Sequence, residues 1–161
     1  MAWGDFARTD YAANDGGRTA RGDYLVEQDT IVAQRPFAVL QFAEVSQTAA
    51  AWADAGDFQV RVPDFALAGW FLHGHVYIKV AAGTGGQVRL TNVTDANDGT
   101  AQTGVSNTTY AASSDLSVQV DAGPHADVNI KVQIQGDAVN AMFAKNKDTD
   151  TLYAMFRWAS T

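Results

Sequence analysis

Residues 127–138, DVNIKVQIQGDA, alternate apolar and polar side chains through most of their length. A period of two is typical of a β-strand with one buried and one solvated face, because successive side chains point to opposite sides of a sheet. The predicted buried face consists of Val128, Ile130, Val132 and Ile134. The opposite face carries one lysine and three amides: Asn129, Lys131, Gln133 and Gln135. What this polar face contacts is the first question about function.

Other short segments alternate in the same way and are separated by loops rich in Gly, Asn and Asp. We predict strands over residues 37–45, 58–62, 70–80, 87–94, 116–120, 128–135 and 152–158, with a loop over 95–109. Such a series is typical of an antiparallel β-sandwich, so the predicted fold is all-β and jelly-roll-like. A single short helix is predicted over TAAAWADAG (48–56), with Thr48 as its N-cap and Gly56 as its end.

The acidic residues are almost all aspartates, 16 Asp against two Glu, in a chain of 161 residues with a formal net charge of −7. Asp favours turns, which agrees with a turn-rich β protein. The charge argues against nucleic acid as a partner, because no basic stripe exists to neutralise phosphates. The chain has no Cys, which excludes disulfides and thiolate chemistry. We expect neither a secretory signal nor a membrane span, since no long apolar run is present.

Residues 1–30 differ in composition from the sandwich predicted over 31–161. They are rich in Gly, Asp and Arg and lack sustained periodicity, so we predict an extended N-terminal arm. Its large apolar residues are isolated aromatics: Trp3, Phe6, Tyr11 and Tyr24. Aromatic side chains are frequent anchors of subunit contacts, so these four residues are predicted to belong to an assembly interface.

Two patterns have the residue types of metal sites. His73 and His75 share a strand face, and with His125 they are similar to the metal motifs of cupins, but Lys79 and Val80 occupy the region where a cupin has its glutamate. TDANDG (94–99) resembles a calcium loop that is one residue short, and Asp148 and Asp150 alternate in NKDTDT. We read all of these as a polar strand face and plain turns, and predict no metal, no cofactor and no catalytic residue.

The order of segments resembles the accessory β-sandwich proteins of tailed viruses, the capsid decoration, turret, tail and fibre proteins. The resemblance covers about residues 37–158 and rests on FQVRVPDF, GHVYIKVAAGTGGQVRLTNVT, TTYAASSDLSVQV, VNIKVQIQGD and TLYAMFRW. It implies a non-enzymatic virion protein, assembled in the host cytoplasm, whose partners are copies of itself and other virion proteins, with a host-surface glycan as a further partner. The excess of acid also suits a virus of a halophilic host.

Two interpretations of function stay open. In the first, the chain is the virion structural protein that the resemblance implies, and Gln133 on the polar face of 127–138 contacts solvent or a neighbouring subunit. In the second, the chain is a carbohydrate-binding β-sandwich module, with Phe71 and Tyr77 exposed on one strand and Tyr153 and Arg157 on another.

Overall fold

The computed structural model describes residues 37–38, 43–63, 69–83, 85–145 and 155–159, which belong to the unit Pro36–Thr161. These residues form β-strands and, within those ranges, no helix. The strands are β1 (Phe37–Ala38), β2 (Val45–Gln47), β3 (Ala53–Arg61), β4 (Trp70–Gly74), β5 (Tyr77–Val80), β6 (Gly86–Asn92), β7 (Asn97–Asp98), β8 (Gln102–Val105), β9 (Ala111–Ala112), β10 (Leu116–Val120), β11 (Asp127–Gln135), β12 (Met142–Lys145) and β13 (Met155–Ala159). The predicted arm, residues 1–30, lies outside the described residues.

All strand pairs are antiparallel, and the strands form three sheets. One sheet has five strands, with the order β3-β11-β6-β7 and β8 also paired to β6. The two four-stranded sheets have the orders β1-β13-β4-β10 and β2-β12-β5-β9. Strands at equivalent positions in the two four-stranded sheets are consecutive along the chain: β1 and β2, β12 and β13, β4 and β5, and β9 and β10. The two sheets are therefore built from the same four regions of the sequence.

The inner faces of the sheets share one apolar core. Leu72, Ile78 and Met142 of the four-stranded sheets are at most 1% exposed, as are Leu90 and Ile130 of the five-stranded sheet. All five belong to the same cluster of buried residues. The rings of Phe58 and Phe156 pack within this cluster, with their centroids 4.9 Å apart. The predicted antiparallel β-sandwich is therefore confirmed.

The alternation of the central strands is also confirmed. Ile130 and Val132 are fully buried, as predicted, and the outward residues between Asp127 and Gln135 are exposed or half-buried. The predicted strand 70–80 alternates correctly but is interrupted at residues 75–76, so that β4 and β5 join different sheets. Residues 39–42 and 152–154 of the predicted end strands lie outside the described residues.

The predicted helix over residues 48–56 is wrong. Residues 53–56 are the first part of β3, which pairs with β11 and buries Ala55 and Phe58. A helix of two turns has too few hydrogen bonds to offset its nucleation cost in isolation, so the pairing and the burial available in the sheet decide the conformation. The predicted loop 95–109 is also partly wrong, because it contains β7 and β8.

Candidate functional site

A β-bulge in β3 decides which side chains reach the outer face of the five-stranded sheet. Along β11, Val132 pairs with Gly56, but the next residue, Gln133, pairs with Asp54. Ala55 is therefore an extra residue on β3, and it is buried. The insertion reverses the inside–outside alternation of the strand on its N-terminal side, so that Asp54 lies on the same outer face as Asp57.

Gln133 is the centre of a hydrogen-bond network on that outer face. Its Oε1 atom accepts from Nε of Arg89 at 3.0 Å, and the Thr91 hydroxyl lies 2.9 Å from the same oxygen. Its Nε2 donates to Oδ1 of Asp54 at 2.9 Å. Together with the ion pairs that flank it, this arrangement is named the Gln133 network; its members are Asp54, Arg89, Thr91, Asp98, Lys131 and Gln133.

Two ion pairs flank Gln133. Lys131 Nζ lies 2.5 Å from Asp54 Oδ2 on one side, and Arg89 Nη1 lies 2.7 Å from Asp98 Oδ2 on the other. Hydrogen bonds from Lys131 and then Gln133 lower the pKa of Asp54 below its ordinary value, and the hydrogen bond to Asp54 raises the pKa of Lys131. Both groups are thus charged at neutral pH, and the network contains two cations and two carboxylates.

Trp52 adds an aromatic surface beside this network. The guanidinium carbon of Arg89 lies 4.4 Å from the centroid of the Trp52 ring, within the range of a cation–π contact. Arg89 is therefore held by the ring, by Gln133 and by Asp98 at once, and its side chain is only 18% exposed. The arrangement offers a cation–π pair next to charged and amide hydrogen-bonding groups.

The structure places Gln133 but not the other predicted interface residues. Gln133 is half-buried and hydrogen-bonded to Arg89 and Asp54 of its own sheet. Trp3, Phe6, Tyr11 and Tyr24 lie outside the described residues.

The two histidines of the HGH sequence have separate partners. His73 Nδ1 lies 3.0 Å from Asp115 Oδ2, whereas the ring of His75 packs edge-on against Tyr77, with centroids 5.9 Å apart. His125 lies in an exposed turn with φ of 66°. Within the described residues, His, Asp and Glu side chains form no group of three that could bind a metal ion.

Asp115 joins strands β4 and β13 at the surface of the first four-stranded sheet. Arg157 binds both of its oxygens, through Nη1 at 3.2 Å and Nη2 at 3.0 Å, in addition to the contact with His73. Burial opposes ionisation of Asp115, but the hydrogen bonds from Arg157 and His73 outweigh it, so the pKa of this carboxyl lies below its ordinary value. The Nε2 atom of His73 is buried and has no hydrogen-bond partner in the described part of the chain.

The loop that resembles a calcium site is a structural clamp. Asp95 Oδ2 accepts hydrogen bonds from Asn92 Nδ2 and from the backbone N–H groups of Asp121 and Ala122. Asp98 points instead to Arg89 and Thr91 of the Gln133 network. The two carboxylates thus serve different partners, and Asp95 ties the end of β6 to the turn that follows β10.

A second aromatic cluster lies on the other four-stranded sheet. Lys79 and Lys145 both approach the ring of Tyr110, with Nζ atoms 4.5 Å and 3.8 Å from its centroid. The Tyr110 hydroxyl donates to Glu44, and Lys79 also lies over the ring of Phe143. Lys79, which we predicted only as an obstacle to metal binding, is therefore a packing residue.

The sequence interpretation missed Trp52, Asp54 and Arg89. The predicted helix included the first two, and strict alternation back from Phe58 would place both on the buried face. The available signal was Gly56, since a glycine within an alternating run often marks a bulge.

A scan against models of known protein families finds no match, and a search of curated proteins finds no significantly similar sequence. Across the described ranges, no helix has the length and apolar character that a membrane crossing requires.

Proposed function

We propose that the chain is a non-enzymatic structural protein of a tailed-virus virion, a capsid decoration, turret or tail component. It assembles in the host cytoplasm with copies of itself and with other virion proteins. The acid-rich composition supports an outward-facing position rather than contact with packaged nucleic acid, since a net charge of −7 repels phosphates.

The observation that carries this proposal is that described strands of the unit Pro36–Thr161 share one apolar core, whose members lie between Ala55 and Trp158. We propose that the isolated aromatic residues of the N-terminal 30 residues do not belong to that core. We therefore assign Trp3, Phe6, Tyr11 and Tyr24 to contacts with neighbouring subunits, where large aromatic side chains contribute most to binding free energy.

Deletion of residues 2–28 tests the proposal. The truncated protein should keep a β-type circular dichroism spectrum and a melting temperature close to that of the full chain. In light scattering after size exclusion, the full chain should form a closed oligomer and the truncated protein should not. Normal assembly of the truncated protein, or its failure to fold, would contradict the role assigned to the arm.

A second experiment addresses the virion itself. Antibodies raised against the sandwich and labelled with gold should decorate intact purified particles at regular positions. Trp3→Ala combined with Phe6→Ala should reduce incorporation into particles, whereas Val139→Ala, at an exposed turn, is the matched control. Particles that carry no label would exclude a decoration, turret or tail position.

A further inference from the structure

We propose that the Gln133 network, together with Trp52, is a binding site for a neutral glycan built of hexopyranose units. The proposal concerns the isolated sandwich and does not depend on the virion assignment. It also moves the sugar site away from Phe71 and Tyr77, which the sequence had indicated, to the outer face of the five-stranded sheet.

The groups on this face match the chemistry of a sugar. A pyranose ring presents an apolar C–H surface and a rim of hydroxyls that both donate and accept hydrogen bonds. The indole of Trp52, which Arg89 contacts, supplies an aromatic surface for the ring, and Asp54, Gln133 and Lys131 belong to the same network. After the bonds within the network are made, Lys131 and Arg89 still have unused N–H donors, and Asp54 still has unused lone pairs. These groups can bond the hydroxyls of a sugar.

The side chains are already fixed in place. Gln133 is held by Arg89 and Asp54, and Asp54 is held in turn by Lys131. Ordering side chains on binding costs free energy, so a preorganised array binds a weakly interacting ligand better than a flexible one. The network crosses β3, β11, β6 and β7, a width of roughly 14 Å at the usual strand spacing, which suits an oligosaccharide better than a single sugar.

The charge balance selects a neutral ligand. Lys131 and Arg89 are each matched by a carboxylate within the network, and Asp57 adds a further carboxylate next to Lys131 on β3. An anionic glycan or a phosphate would meet no excess of positive charge here.

The same face is a poor match for a protein partner. Protein interfaces have an apolar centre, but the large hydrophobic side chains exposed among the described residues are Val93 and Val139, and both lie in turns outside the network. A glycan is therefore the occupant that fits the available chemistry.

The test begins with the folded recombinant chain on an array of neutral hexopyranose oligosaccharides, with uronate-bearing and sulfated oligosaccharides as comparison. Titration calorimetry then measures Kd for the neutral oligosaccharide that binds most tightly. Trp52→Ala and Gln133→Ala should each raise Kd about tenfold or more, whereas Gln119→Ala, the same change at an exposed position of β10, should leave Kd unchanged. Trp52→Phe keeps an aromatic ring and serves if Trp52→Ala does not fold; it should raise Kd several-fold.

Nuclear magnetic resonance gives a readout that needs no variant. The indole N–H of Trp52 and the side-chain N–H groups of Arg89 and Gln133 should shift on titration with the glycan, and those of Gln119 should not. The proposal is overturned if no neutral oligosaccharide binds, if only anionic oligosaccharides bind, or if binding survives both alanine variants. It is equally overturned if Gln133→Ala changes the oligomeric state and leaves Kd unchanged, because the face is then a contact between subunits.

Discussion

Lys131 forms its ion pair with Asp54, 2.5 Å away, and not with Asp57, the residue directly opposite it in the β3–β11 pairing. The bulge at Ala55 explains this choice, because it brings Asp54 to the outer face one position along, where it meets both Lys131 and Gln133. Position 133 is therefore part of a charged arrangement and not a freely solvated amide, and this changes what substitutions there should do.

Gln133→Asp should destabilise the sandwich by about 1–2 kcal/mol. The new carboxylate would lie opposite the carboxylate of Asp54. Asp54 would also lose the hydrogen bond that it accepts from the amide of Gln133. Urea denaturation measures the loss. Asn129→Asp, a comparable change at an exposed position of the same strand, should cost less than about 0.5 kcal/mol. Equal losses at the two positions would mean that the network contributes nothing to stability.

Ile130→Asp should unfold the domain. Ile130 is fully buried, and a charged carboxylate there has no partner in the apolar cluster. The expected cost is about 4 kcal/mol or more, a large part of the stability of a typical domain. Loss of the β-type circular dichroism spectrum would show it. Ile130→Val, which keeps the site apolar, should retain the spectrum and cost about 1 kcal/mol.

Asn92→Leu should cost about 3 kcal/mol. Asn92 is fully buried and uses both ends of its amide: Nδ2 donates to Asp95 and to the Gln119 carbonyl, and Oδ1 accepts from the backbone of Thr94 and Asp95. Leucine has the same branched shape and is somewhat larger, and it leaves these buried groups without partners. Asn129→Leu, at an exposed strand position, is the control for thermal melting. An unchanged melting temperature for Asn92→Leu would contradict the clamp.

Gly74→Ala should destabilise by about 3 kcal/mol, because there is no space for a side chain at this position. A Cβ atom there would lie 2.4 Å from Cδ1 of Phe156 and 2.7 Å from the carbonyl oxygen of Met155. Gly123→Ala is the matched control, since nothing lies within 4 Å of its Cβ position. If both variants melt at the temperature of the wild type, the result would contradict the close contact between Gly74 of β4 and Phe156 of β13.

Asp115 should make stability depend on pH in the acid range. Its pKa is lower in the folded chain than the ordinary value of 3.8, so its contribution is complete above that value and is lost as the pH falls through the folded-state pKa. Asp115→Asn should therefore flatten the decline of stability below about pH 4. Ser117→Ala, on the same strand face, should retain the wild-type slope. Denaturation midpoints across the acid range measure both. A steeper decline in Asp115→Asn would contradict the assigned direction.

The alternation in the sequence was sufficient to predict the central strands, but it was insufficient to predict the strand pairing that builds the site. The apolar residues around Ile130 recur with a period of two. They lie on one face only if the segment is a β-strand, so the alternation predicts a strand. The pairing of Gln133 with Arg89 depends on which strands become neighbours, and β6 and β11 are far apart in the chain. Periodicity carries no information on such long-range pairing. The contact between Asp115 and Arg157 could not be predicted from the sequence for the same reason.

Trp52 and Asp54 were missed for a different reason. Local composition favoured a helix over the Ala-rich segment, and the interaction with β11 overrode that preference. Even a correct strand prediction would have reversed their orientation, because a bulge is a geometric feature of two paired strands. Gly56 indicates where the bulge lies in the strand, but it does not show which adjacent residue is the inserted one.

The bulge at Ala55 makes the chemistry of one molecular surface depend on how two strands pair as well as on their residues. If the same residues paired with β11 without a bulge, strict alternation back from Phe58 would turn Trp52 and Asp54 towards the core and bring Ala53 to the outer face. The amino-acid sequence would be unchanged, yet the surface would lose its aromatic ring and one of its acids. Two chains of nearly identical sequence would thus share the sandwich and differ in what they recognise if one of them lacked the bulge, and comparison by identity alone would overlook the difference.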